Sequence, residues 1–76
     1  MAYEIRVHRH GQPHEAIMVC HAPRKAALAT ARRLGAEVFP GCTITKSGQS
    51  ALLVTREGEA LATIAVEPHT ERATQG

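Results

Sequence analysis

Apolar and polar residues alternate at the start of the chain, where Tyr3, Ile5 and Val7 are separated by Glu4, Arg6 and His8. That period of two predicts a strand with one buried face. His10-Gly11-Gln12-Pro13-His14 is rich in turn formers, and Glu15–Cys20 is a second strand with Ile17 and Val19 as its strongest apolar pair. A Gly11-Gln12-Pro13 loop sets Val7 opposite Ile17, Ile5 opposite Val19 and Arg9 opposite Glu15, which keeps each face uniform. In this register Ile17 and Val19 face the core, and Met18 and Cys20 face away from it.

The period then changes. Ala27, Leu28, Ala31 and Leu34 share one stripe at about 100° per residue, which predicts a helix from Pro23 to Leu34. Pro23 suits the first helical position, Ala22 is a weak N-cap, and Gly35 suits a left-handed residue after the last turn. Val38 and Phe39 are expected to plug one end of the core. Cys42–Lys46, Ala51–Arg56 and Ala60–Glu67 read as three further strands. Ser47-Gly48-Gln49-Ser50 and a three-residue loop, Glu57-Gly58-Glu59, connect them. That loop places Leu52, Val54, Ala62, Ile64 and Val66 on one face. Pro68 ends the last strand, and His69–Gly76 is polar and aperiodic, as a frayed tail would be.

The expected fold is therefore α+β in the order β-β-α-β-β-β. One helix covers one face of a mostly antiparallel sheet of four or five strands, in a single domain over residues 1–68. The layout and the helix-ending Ala31-Arg32-Arg33-Leu34-Gly35 resemble short bacterial β-β-α-β-β domains of unknown function. The resemblance carries no catalytic motif and transfers no site residue.

Composition narrows the functional classes. The chain has 76 residues, with Tyr3 and Phe39 as its aromatic residues and no Trp, so the core must be aliphatic and thin. Such a core gains from self-association, which buries further apolar area. A formal net charge of +2 is too mild to imply nucleic-acid binding by itself. The first ten residues lack the apolar run of a signal peptide, and no stretch reaches the ~18–20 apolar residues of a membrane span. The expectation is a cytoplasmic protein with no membrane association and with Cys20 and Cys42 reduced.

Four features are candidates for function. The helix carries Arg24, Lys25, Arg32 and Arg33 and no acid up to Leu34. Arg24 and Lys25 stand in its first turn, where the helix dipole disfavours cations. With His21 these residues form a candidate anion or nucleic-acid site; the plainer reading is a solvated basic face. His8, His10 and His14 gather at the first hairpin's tip as a candidate metal-binding or pH-responsive cluster, although no specific metal motif is present. Cys20 precedes the helix start and Cys42 looks core-facing; neither has a catalytic partner by adjacency. The uncovered sheet face is expected to carry Met18, Leu53, Thr55, Leu61 and Thr63 as an interface rather than a charged, water-facing surface.

No acid–base pair, nucleophile motif or cofactor loop is present. The leading expectation is a non-enzymatic interaction module without a cofactor, self-associating or binding a protein partner through the open face or an edge strand. The second is weak binding of nucleic acid or another polyanion at the helix start. The third is the metal- or pH-responsive histidine cluster.

Overall fold

In a computed structural model, which describes residues 2–69, five strands form one sheet in the spatial order β2-β1-β5-β4-β3. The strands are β1 (Ala2–Arg9), β2 (Glu15–His21), β3 (Thr43–Lys46), β4 (Ala51–Arg56) and β5 (Glu59–Pro68). The helix, α1 (Arg24–Val38), joins β2 to β3. Every neighbouring pair is antiparallel. The α+β order is thus as the hydrophobic pattern predicts, and α1 links the two edge strands.

The core forms where α1 lies on the sheet. Ile5, Leu52, Val54, Ile64 and Val66 are its largest fully buried side chains, and Ala27, Ala31 and Phe39 close it from the helix side. The pattern predicts nearly all of this set. Burial of each large aliphatic side chain contributes about 1.5–3 kcal/mol.

Gly35 departs from expectation. It is inside α1 and buried, not past its end. A Cβ there would lie 2.8 Å from Ile44 Cδ1 and 2.8 Å from Ile64 Cδ1. Ala27, Ala31 and Gly35 are spaced i, i+4, i+8, so they make a row of small residues along which the helix backbone approaches the sheet. The helix instead stops at Val38, because Pro40 disfavours helical backbone at Phe39. Phe39 has φ −123° and ψ 71°, and its amide donates to Gly35 O at 2.8 Å. At the other end Pro23 is the N-cap, without a side-chain hydrogen bond, and the first turn holds no acid. Packing rather than capping therefore holds α1.

The β4–β5 connection is one residue shorter than expected. Arg56 pairs with Glu59, and Glu57 (φ 53°) and Gly58 (φ 83°) form the turn. Positive φ at both central residues is the signature of a type I′ hairpin. A bulge then shifts the register, with Thr55 opposite Ala60 and Val54 opposite Ala62. The extra residue, Leu61, restores the alternation that a three-residue loop would have given. Leu52, Val54, Ala62, Ile64 and Val66 thereby share the buried face.

The first hairpin has a different register from the expected one. Ile5 faces Met18, Val7 faces Ala16 and Tyr3 faces Cys20. Met18 and Cys20 are therefore on the helix side of the sheet, and Ile17 and Val19 on the open side. His69, assigned to a tail by its polarity, is still held: its amide donates to Ala2 O at 3.0 Å. The rest of the expected tail, residues 70–76, lies outside the described residues.

Candidate functional site

The sheet has two edges, and they are treated differently. β3 is four residues long and ends in Lys46. Arg32 Nη1 reaches from α1 to donate to Ile44 O on this strand at 3.1 Å. Shortness, a lysine and a covering side chain all discourage pairing with another chain. β2 has none of these devices. It runs seven residues, Glu15–His21, with no proline or lysine within it.

The backbone of β2 is open in a definable way. The His10 amide donates to Leu61 O at 2.9 Å, and the His69 amide donates to Ala2 O at 3.0 Å. Even-numbered residues of β1 therefore direct their backbone groups toward β5. The odd-numbered Tyr3, Ile5 and Val7 direct theirs toward β2, where they meet Cys20, Met18 and Ala16. By alternation, Glu15, Ile17, Val19 and His21 point N–H and C=O groups outward, and no described strand pairs with them.

The side chains of β2 are equally uncovered. α1 packs over β5, β1 and β3, and β2 extends beyond it. Ile17 is 54% exposed, Val19 40% and Met18 39%. On the helix side, Ile5, Val7, Ala16, Met18, Leu34 and Val38 line a groove of about 530 Å³ between β2 and the end of α1. Apolar side chains therefore lie on both faces of a strand whose outer edge pairs with no described strand.

The middle of the open face is electrostatically satisfied. Arg6 meets Glu4 at 3.0 Å, Glu15 at 3.1 Å and Glu67 at 3.8 Å. His69 Nδ1 lies 2.9 Å from Glu4 Oε2. The hydrogen bond from His69 is the main cause that holds the Glu4 carboxyl below its ordinary range, and Arg6 adds to it. The hydrogen bond to Glu4 in turn raises the Arg6 guanidinium further. Leu53, Thr55, Leu61 and Thr63 occupy the far side of this face and are half-buried. Met18, expected among them, is not on this face.

The basic helix residues do not converge. The Arg24 guanidinium donates to Gln49 O and, at 3.2 Å, to Ser50 Oγ, so it ties α1 to the β3–β4 turn. Arg32 is held at Ile44 O. Lys25 and Arg33 are exposed, and His21 stays on the open side of β2. Arg24 and Arg32 are eight residues apart, or about 12 Å along the axis. The cations that looked misplaced in the first turn thus include one with a bonding role, which explains why the dipole conflict is tolerated.

The histidines also separate. His8 and His10 share the open face with ring centroids 6.4 Å apart. His8 Nε2 donates to Gln12 O at 3.0 Å, and His10 Nε2 lies 3.1 Å from Thr63 Oγ1. His14 instead lines the groove with Arg9 and Gln12. Among the described residues no group of three or more His, Cys, Asp or Glu is placed to hold a metal ion. Cys20 and Cys42 are free thiols, half-buried against the core. For Cys20 this corrects the expected position on the open face.

Sequence reasoning missed Ile17 and Val19 as surface residues because it turned them inward. Charge could not separate the two registers, because each gives Glu15 an arginine: Arg9 in the expected one and Arg6 in the observed one. Among the described residues no helix is long and apolar enough to cross a membrane. The chain matches no family model, and comparison with curated proteins and with solved structures found no match.

Proposed function

We propose that the protein is a non-enzymatic interaction module that accepts a strand from a protein partner along the outer edge of β2. The observation that carries this reading is the asymmetry of the edges. β3 is short and covered at Ile44 O by Arg32, whereas β2 runs seven residues, six of them exposed, with apolar side chains on both faces. A long, flat, apolar edge is an aggregation liability unless a partner completes it. Strand addition supplies affinity through backbone hydrogen bonds and specificity through alternate side chains. Ile17 and Val19 would contact the added strand on the open face, and Met18 on the groove side.

The test exploits the alternation along β2. Val19 points its N–H outward, so Val19→Pro removes a donor from the edge and leaves the β1 ladder intact. Two readouts are compared after circular dichroism confirms folding. One is the concentration dependence of the sedimentation coefficient. The other is enrichment of extended peptides from a displayed library. The expected result is that Val19→Pro abolishes whichever association the wild type shows. Indifference of both readouts to this substitution would overturn the proposal.

A further inference from the structure

The sequence of β2 is complementary to itself, and we infer that the strand completing the edge is β2 of a second copy, paired antiparallel about a two-fold axis at Met18. This inference rests on the strand-addition reading above and adds the partner and the register. Met18 is the central residue of Glu15–His21. A dyad there overlaps all seven residues of each strand, about 24 Å of ladder at the usual rise. It sets Ile17 opposite Val19 of the second copy, Ala16 opposite Cys20, and Glu15 opposite His21. Both ends of the ladder then match a carboxylate with an imidazole, and both inner pairs on the open face are β-branched.

Shifting the dyad by one residue in either direction destroys this match. Centred on Ile17, the pairing leaves Glu15 opposite Val19 and His21 beyond the overlap. Centred on Val19, it sets His21 opposite Ile17 and leaves Glu15 unpaired. The backbone agrees with the central register. Ile17, Val19, Glu15 and His21 are the residues whose N–H and C=O groups point outward, so they become the hydrogen-bonded pairs of the new ladder. Met18 meets Met18 of the second copy in a non-hydrogen-bonded pair, on the helix side. There the two flexible thioether side chains fill the seam that continues each groove.

The assembly closes at two copies. A two-fold axis uses each β2 once, and β3, the remaining edge, is the covered one. The product is a continuous ten-stranded sheet, twice the five strands of one copy, with both helices on the same face.

Site-specific crosslinking reads the register. In a Cys20→Ala/Cys42→Ala background, single substitutions Ile17→Cys, Met18→Cys and Val19→Cys are oxidised with glutathione disulfide at a concentration where the chain associates. Residues paired at the dyad lie about 4.5 Å apart at Cα, inside the range a disulfide spans. Met18→Cys is therefore expected to form covalent dimer at least tenfold faster than either neighbour. A charge swap supplies a second readout. His21→Glu sets like charges opposite at both ends and should weaken association about tenfold. Glu15→Lys/His21→Glu should restore it, while Arg6 keeps Glu4 and Glu67. Association with faster crosslinking at Ile17→Cys or Val19→Cys, or with no rescue by the double substitution, overturns the register and leaves strand addition standing. A strictly monomeric chain whose selected peptides still depend on the Val19 N–H overturns the second copy as partner. Indifference to Val19→Pro defeats the underlying reading as well.

Discussion

Replacing Gly35 by alanine sets two effects of known size against each other. In a helix interior the change gains about 1 kcal/mol of propensity. The new methyl, however, would stand 2.8 Å from both Ile44 Cδ1 and Ile64 Cδ1. Ile44 is half-buried on an edge strand and can turn its δ-methyl aside. Ile64 is fully buried, so it can move only by displacing its core neighbours or lifting the helix. Overpacking of this kind costs about 1–3 kcal/mol. The expected net loss is about 1 kcal/mol, or about 4–8 °C in Tm for a domain of this size. Urea or thermal unfolding of the wild type, Gly35→Ala, Ile64→Val and the double variant measures it. Ile64→Val removes one of the two clashing atoms at a cost of about 0.5–1.5 kcal/mol. The double variant should therefore be more stable than the sum of the single losses predicts, by at least about 0.5 kcal/mol. A Gly35→Ala chain more stable than the wild type would refute the close approach. So would strict additivity, which is what a glycine retained only for left-handed backbone would give.

Other outcomes follow from the same contacts. The Arg9 guanidinium lies 4.8 Å from the Phe39 ring centroid, so Arg9→Ala should cost about 0.5–1 kcal/mol in thermal unfolding. Arg32→Ala uncovers the Ile44 carbonyl on β3 and should convert closed association into open-ended growth, read as rising light scattering with concentration. The Glu4 carboxyl is held low in the folded state, mainly by its bond from His69. Its contribution to stability is therefore present above the ordinary carboxylate range and is lost as pH falls through the lowered value. Urea midpoints of Glu4→Gln should consequently change less than those of the wild type as pH drops from about 5 toward 3.

The parts of the structure legible in the sequence are those set by burial. Ile5, Leu52, Val54, Ile64 and Val66 alternate because the helix covers one face, and their periodicity gave the strands and the element order. Ala27 and Ala31 likewise marked the helix face. β2 was misread because the core touches it only at Cys20, its one half-buried residue. Six of its seven residues are exposed, so burial constrains the Ile17–Val19 pair little. Apolar pattern alone turned those residues inward and Met18 outward, the reverse of what is found. Gly35 was misread for a related reason: a glycine near a helix end has the same local appearance as one pressed against two isoleucines. The cations of α1 were visible, but that Arg24 and Arg32 reach carbonyls on other elements depends on contacts 25 and 12 residues away in the chain.

Hydrogen exchange along β2 reports on its outer edge, because one strand contains both the probe and its control. The amides of Ala16, Met18 and Cys20 face β1 and should exchange slowly at every protein concentration. Those of Ile17, Val19 and His21 face outward. They should exchange freely in dilute solution and become protected as concentration rises through the association range, while the amides of β3 remain unchanged. Outward amides that exchange at the same rate at all concentrations, or protection that appears on β3 instead, would contradict β2 as the edge where a second copy binds.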